Sequence, residues 1–177
     1  VTLVDPDGFG ERTSFGNAGA ISPGACIPLA MPGMFKHVPS WLMDPEGPLA
    51  IRPSYFPKVL PWLIRFSLAA RRSRIEGIAD ALHALHSRVL DCYGSLLKNA
   101  GAPELIRRTG VLYLYRSEAS FRGSMGEVEM RRRRGVTVEL LTQPEIRQLE
   151  PLVADTFKHG MFMPDNGHTV SPHKLVN

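Results

Sequence analysis

The hydrophobic positions of this chain change their spacing three times between the first residue and the last. The opening run Val1–Val4 is apolar and partly β-branched, and Asp5 follows it directly. Such a run predicts a buried parallel strand that ends in an acid. Residues 5–53 then carry prolines too closely spaced for a long helix, but they also carry apolar anchors, so we expect a long packed loop there.

Helical spacing dominates the next region. A helix is predicted over Tyr55–Arg72, with its start near Pro57. A second, long amphipathic helix is predicted to begin at a Ser73/Glu76 capping box and to end at Asn99–Gly101. Its apolar residues recur at steps of three and four: Ile75, Ile78, Leu82, Leu85, Val89, Tyr93 and Leu96.

The last third alternates short strands with helices. The pattern predicts strands at 110–115, 136–141 and 157–163, a polar helix over Ser117–Arg134 and a short helix opened by a Thr142/Glu145 capping box. Asp165–Gly167 indicates a turn, and Ser171 with Pro172 begins a final helix. Both ends of the sequence are expected to lie inside a longer protein.

The composition is ordinary for a globular protein. Hydrophobic residues make up 44% of the 177 residues, and the net charge is +4. The most apolar stretch, 59–70, is interrupted by Pro61 and Arg65 and is too short to span a bilayer. Cys26 and Cys92 show no disulfide framework, so two buried thiols in a reducing compartment are expected.

The segment after the first strand carries the clearest candidate chemistry. Small residues from Thr13 to Gly19 admit close backbone contact with a ligand, and Asn17 can both donate and accept hydrogen bonds. In a dinucleotide-binding unit, an acid at the position of Asp5 binds the adenosine ribose. On the residues alone, a plain turn at Asp5 is favoured, since Gly8–Thr13 gives only G-x-G-x-x-T, and a tight loop with a Ser or Asn helix cap is favoured for Thr13–Gly19.

Four other features have ordinary explanations beside functional ones. His83 and His86 have a spacing that suits metal, but no further ligand completes a set, and no metal is expected. The run Arg131–Arg134 has no interleaved aromatic residues, so a solvated helix end is favoured and no nucleic acid is expected. Tyr113 either packs on the core or faces a substrate cavity. For Ser14, the sequence shows no His or Asp positioned to activate it as the nucleophile of a hydrolase.

Three runs of sequence resemble a known family. The first is LVDP with TSFGNAGAISPG, the second is PLAMPGM followed by WLMDPEGPLAIRP, and the third is GMFMPDNGHTVSPHKLVN. They are similar to bacterial D-amino acid dehydrogenases (small subunit), within the D-amino-acid-oxidase-like family of FAD-dependent oxidoreductases. The resemblance covers nearly the whole chain as an internal fragment, because the family's G-x-G-x-x-G and its later FAD-domain strands have no counterpart here. It implies an α/β fold: part of a Rossmann-like FAD-binding domain, and a helix-covered, mixed-sheet substrate domain with α+β character.

The resemblance also assigns residues. It implies that Asp5 binds the ribose, that His168 and Tyr113 stand on the substrate side, and that FAD is the cofactor of the intact protein, with weak or absent binding by this piece. No catalytic residue is assigned. The other implied FAD contacts are Arg12, Thr13, Ser14, Phe15, Gly16, Asn17, Ala18 and Gly19.

The resemblance implies a domain plan and partners as well. Residues 1–53 would belong to the FAD domain, 54–164 to the substrate domain, and 165–177 would return toward the FAD domain. The intact protein would oxidise D-amino acids in the cytoplasm or at the cytoplasmic face of the inner membrane. A glycine- or sarcosine-oxidase-like amine oxidase and a non-catalytic assembly module stay open, as do membrane association through an electron acceptor and self-association through exposed edges.

Overall fold

The computed structural model describes residues 4, 6–8, 10–34, 38–44 and 50–177. Its helices are α1 (Val38–Met43), α2 (Phe56–Ala69), α3 (Arg72–His86), α4 (Val89–Ala100), α5 (Glu118–Gly123), α6 (Met125–Arg132), α7 (Gln143–Leu149) and α8 (Pro172–Val176). Its strands are β1 (Ala20–Ile21), β2 (Ile106–Arg107), β3 (Val111–Tyr115), β4 (Glu139–Thr142), β5 (His159–Met163) and β6 (Gly167–Thr169). The predicted opening strand lies, apart from Val4, outside the described residues.

Two small sheets accompany these helices, which confirms the predicted α/β class. One sheet has the order β1-β6-β2 and the other β3-β5-β4, and every described pairing in them is antiparallel. Because β6 lies between β1 and β2, it joins segments that are far apart in sequence. The sequence pattern missed β6: it predicted that the turn at 165–167 leads directly into the last helix.

The central cluster of buried residues lies under the second sheet. Val128 of α6 packs there with Met161 and Met163 of β5, and with Val136 and Val138, which precede β4. On the other side of β5, the side chain of Ile146 fills the space above Gly160, where a Cβ would lie 3.1 Å from it. This packing fixes β5 between α6 and α7.

The chain divides into two compact units. One comprises Val1–Ala25 with His83–Asn177, and it contains both sheets; the other comprises Cys26–Leu82, with α1 and α2. The predicted domain boundaries at 53/54 and 164/165 stay a prediction.

The long amphipathic helix predicted from residue 73 to residue 101 is wrong in its continuity and its start. It is two helices, α3 and α4, separated at Ser87 and Arg88. The three- and four-residue spacing of apolar residues continues across that break. Such spacing therefore indicates which face is apolar, but it does not indicate whether the helix backbone is continuous. Ser73 lies inside the first turn of α3 rather than at its cap, whereas the predicted end is confirmed by Gly101, whose φ is 70°.

The polar helix predicted over 117–134 is likewise two helices, α5 and α6. They meet at Ser124, whose hydroxyl donates to the Phe121 carbonyl oxygen at 2.7 Å. A serine hydroxyl that bonds a nearby carbonyl competes with the helical ladder. The break therefore has a local chemical cause.

Two expectations about individual side chains are wrong. Arg131 is buried rather than solvated, and its guanidinium lies 3.3 Å from Glu127. Its neighbour Arg132 donates a hydrogen bond to the Val138 carbonyl oxygen at 2.7 Å. This bond stabilises the turn that leads to β4. Cys92 is exposed on α4, while Cys26 is buried as expected.

Candidate functional site

The segment from Arg12 to Gly19, which we call the bend, leads from a series of turns into β1. Asn17 Oδ1 accepts a hydrogen bond from the Gly19 amide at 2.8 Å. An asparagine that bonds the amide two residues on closes a side-chain-mediated turn. Gly16 and Gly19 have φ values of 72° and 69°, which lie in the left-handed region that favours glycine. The local sequence therefore specifies the sharp change of direction before β1.

Gly19 fastens the bend to the central strand of the first sheet. The Thr169 amide donates to the Gly19 carbonyl oxygen at 2.9 Å. A Cβ on Gly19 would lie 2.7 Å from Thr169 Cγ2 and 2.8 Å from the Thr169 carbonyl oxygen. No larger residue fits there without displacing the strand, so the close approach accounts for the glycine.

The outer side of the bend is open. Arg12, Thr13, Phe15, Gly16, Asn17 and Ala18 are exposed, and Ser14 is half-buried. With Asn17 Oδ1 engaged in the turn, the Asn17 amide nitrogen remains as an exposed donor. Arg12 forms an ion pair with Asp7. The bend thus combines a backbone set by its turn with small side chains at Gly16 and Ala18 and an outward amide donor at Asn17.

His168 lies beside the end of the bend. It is the middle residue of β6, opposite Ala20 on one side and Arg107 on the other. Its Nδ1 is 3.1 Å from the Thr109 hydroxyl oxygen. The structure therefore brings His168 next to the residue that follows Gly19, although 148 positions separate them in sequence.

Tyr113 belongs to the other sheet. It lies on β3 opposite Met161 and is 44% exposed. Its side chain is thus accessible, as a substrate-facing residue requires, and its predicted role stays a prediction. Asp5 lies outside the described residues, so its ribose-binding role also stays a prediction.

The sequence pattern missed the contacts that hold α8 against the start of the bend. His173 Nε2 lies 3.1 Å from Glu11 Oε1, and the His173 ring meets Phe15 edge-on with ring centroids 6.0 Å apart. A contact between residues 11 and 173 leaves no local signal in one sequence. The sequence indicates only where α8 begins, through the cap at Ser171, whose hydroxyl oxygen accepts a hydrogen bond from the Lys174 amide.

Asn166 is a second residue that the pattern read only as part of a turn. Its side chain is 1% exposed, and its amide nitrogen is 3.4 Å from the Ser22 hydroxyl oxygen. Its backbone carbonyl accepts from the Gly110 amide at 2.9 Å. Asn166 thereby connects the strand after the bend with the start of β3.

In the part of the chain that the structure describes, no three His, Cys, Asp or Glu side chains lie close enough together to bind a metal ion. Of the histidine pair on α3, His86 bonds through Nδ1 to the Ala25 carbonyl oxygen at 2.8 Å. Within the described ranges, no helix is both long and apolar enough to cross a membrane.

Comparison with known proteins identifies the family of the whole chain. The model of the DAO family, described as FAD dependent oxidoreductase, matches residues 1–177. A protein of Bradyrhizobium diazoefficiens named D-amino-acid oxidase is 41% identical over 99% of this chain and 42% of its own length. A D-amino acid dehydrogenase of Rhodopseudomonas palustris is 32% identical over 94% of this chain and 40% of its own length.

Among solved structures, glycine oxidase from Geobacillus kaustophilus superposes with a TM-score of 0.43 at 20% identity, over 50% of this chain and 24% of that one. The chain spans about two fifths of the length of the curated relatives it matches.

Proposed function

This chain belongs to the DAO family of FAD-dependent oxidoreductases, and on that premise we propose that the whole protein oxidises D-amino acids. The similarity to proteins named D-amino-acid oxidase and D-amino acid dehydrogenase supports this substrate class. FAD would supply the acceptor for the hydride that leaves the substrate Cα, and hydrolysis of the resulting imino acid by water would give a 2-oxo acid and ammonia.

The role of the bend in this proposal is to position the flavin. The Gly19–Thr169 contact holds the bend rigidly on β6, and rigid elements orient a cofactor more sharply than free loops do. The exposed amide of Asn17 donates a hydrogen bond to the nucleotide, and Ala18 and Gly16 keep the surface low enough for close approach. The observation that carries the proposal is this fixed, small-residue surface in a chain that matches the family along its full length.

The role of His168 is to contact the substrate. In the pairing of β1 with β6, His168 lies opposite Ala20, which is the residue directly after the bend. The Thr109 hydroxyl contacts the His168 ring at Nδ1 and fixes its orientation. Because Nδ1 contacts Thr109, Nε2 is the ring nitrogen that would form a hydrogen bond with the amine or carboxylate of the substrate. Tyr113 is a second substrate contact in the proposal, on its accessible side of β3.

The test is an assay of the whole protein with D-alanine and with sarcosine, together with the visible spectrum of the purified protein. The proposal expects flavin absorbance and faster turnover of D-alanine. Preferred turnover of sarcosine or glycine would instead assign it to the amine oxidases of that type. A colourless whole protein that takes up no added FAD would favour a non-catalytic assembly role. The cytoplasm, or the cytoplasmic face of the inner membrane, is the place we propose for the reaction.

A further inference from the structure

Asn166 is the least exposed of the buried polar side chains that the structure describes, at 1%. It lies in the turn between β5 and β6, and its amide nitrogen is 3.4 Å from the Ser22 hydroxyl oxygen. Its Oδ1 is also buried and has no hydrogen-bond partner among the described residues. Because a buried polar group without a partner costs folding free energy, the stability of the core does not account for an amide at this position.

The backbone of the turn does not account for the asparagine either. Among the described residues, a φ in the left-handed region occurs only at glycines, so Asn166 is not needed for a conformation that asparagine tolerates better than other residues. Gly167 meets the steric demand of the turn, because a Cβ there would lie 2.5 Å from the Arg107 carbonyl oxygen. What asparagine adds over an apolar residue of similar size is its side-chain hydrogen bond with Ser22.

Three segments that carry proposed functional groups meet at Asn166. Ser22 directly follows β1, and β1 begins where the bend ends. His168 lies two residues further along the chain, in β6. The Asn166 carbonyl oxygen accepts a hydrogen bond of 2.9 Å from the Gly110 amide, and Gly110 directly precedes β3, the strand of Tyr113. One buried residue therefore connects the strand after the bend with the two strands that carry the proposed substrate contacts.

We propose that Asn166 is a positioning residue for the oxidation, an inference that rests on the proposed function. Through its bond with Ser22 it sets where His168 stands relative to the bend. Through its bond with Gly110 it sets where Tyr113 stands. Because Asn166 is buried, it acts through these residues and not by contact with the substrate. Such a role matters because a displacement of about 1 Å between reacting groups can lower a rate about 100-fold.

The test is a matched pair of substitutions at Ser22 in the whole protein. Ser22→Val removes the hydroxyl that contacts Asn166, whereas Ser22→Thr retains it in a side chain of nearly the same shape. Ser22 also lines a cavity of about 320 Å³, so the added methyl groups have room in both variants. We expect kcat for D-alanine to fall about tenfold in Ser22→Val and to stay within about twofold of the parent in Ser22→Thr, with KM and FAD affinity unchanged in both.

A purely structural role predicts a different result. If the bond with Asn166 only stabilised the fold, Ser22→Val would lower the free energy of unfolding, and the folded variant would keep the kcat of the parent. Equal kcat values in Ser22→Val and Ser22→Thr would therefore overturn the inference and leave the proposed function intact. A parent protein that contains flavin and oxidises no amino acid would instead overturn the proposed function, so the two failures are distinguishable.

A double variant tests whether Ser22 and Asn166 act through one bond. Asn166→Ala is expected to lower kcat at least as much as Ser22→Val does, because it removes the same hydrogen bond. The double variant should then be no slower than Asn166→Ala alone, since residues that act through a shared contact are not additive. If the two losses multiply, the residues act independently, and Asn166 does not position the site through Ser22.

Hydrogen exchange of the full chain tests the connection without any flavin chemistry. The Gly110 amide, which donates to the Asn166 carbonyl oxygen, is expected to exchange about tenfold faster in Ser22→Val and at the parent rate in Ser22→Thr. The Glu150 amide at the end of α7 is the internal control and should exchange at the parent rate in both variants. An unchanged rate at Gly110 in Ser22→Val would show that Ser22 does not hold the start of β3, and the inference would fail.

Discussion

Gly19 and Thr169 are in direct contact, with a hydrogen bond of 2.9 Å from the Thr169 amide to the Gly19 carbonyl oxygen and no room for a side chain on Gly19. This contact joins the bend to the strand that carries His168. The two predicted functions of the chain, holding flavin and contacting substrate, therefore meet at one pair of backbone segments.

Replacing Gly19→Ala tests that contact. Alanine pays about 1 kcal/mol for a left-handed φ and a further 1 to 3 kcal/mol, roughly, for displacing Thr169. Gly16→Ala is the matched control, because Gly16 has a similar φ of 72° but nothing within 4 Å of its Cβ position. Denaturant unfolding should show the Gly19 variant to be clearly less stable than the Gly16 variant. If both variants lose the same free energy of unfolding, then Thr169 can move away from residue 19 at no cost.

Asn17 has separable structural and cofactor roles. Asn17→Asp retains the acceptor for the Gly19 amide, so we expect the free energy of unfolding to change by less than about 0.5 kcal/mol. The same change replaces the outward amide donor with a negative charge, and FAD affinity of the whole protein is expected to fall about tenfold or more. Flavin fluorescence titration measures this. Asn17→Ala should reduce both quantities; undiminished FAD affinity in both variants would remove Asn17 from the cofactor site.

His168 is tested by a KM-against-kcat comparison on the whole protein. His168→Asn retains a polar group near Thr109 but removes the imidazole that we propose faces the substrate. We expect kcat/KM for D-alanine to fall about tenfold or more while the flavin spectrum is unchanged. Thr109→Val, which frees the ring without removing it, should have a smaller effect on kcat/KM. If both variants have the kcat/KM of the parent protein, His168 does not contact the substrate and has only a structural role in β6.

The Thr142/Glu145 cap predicts a dependence of stability on pH. The Thr142 hydroxyl, and then its backbone amide, donate to the Glu145 carboxylate and hold its pKa below the ordinary value of 4.5. Because the folded-state pKa is the lower one, the stabilisation is fully present above pH 4.5 and is lost as the pH falls through the folded-state pKa. Urea unfolding between about pH 7 and pH 3 should show this loss, and Glu145→Gln should flatten that part of the profile. A variant profile that overlays the parent's would contradict the prediction.

Local patterns predicted most of the secondary structure. The start of α7 at Thr142, the end of α4 at Gly101 and the start of α8 at Ser171 all follow from capping chemistry, which acts within four residues. The bend before β1 was also predictable, because the Asn17 turn and its glycines are local. The break at 87–88 was not predictable, since an unbroken apolar period hides a change in the backbone, and the break at Ser124 was missed although its cause is local.

The sequence by itself determined the family, through its similarity to known proteins, and it determined the class of fold and the small-residue bend, through spacing and motifs along the chain. Only the tertiary structure decided that β6 lies between β1 and β2, that His168 stands beside the end of the bend, and that His173 holds α8 against Glu11. Those contacts join residues that are between about 60 and 160 positions apart. Their free energy depends on packing and backbone pairing in three dimensions, to which no short-range pattern in a single chain is sensitive.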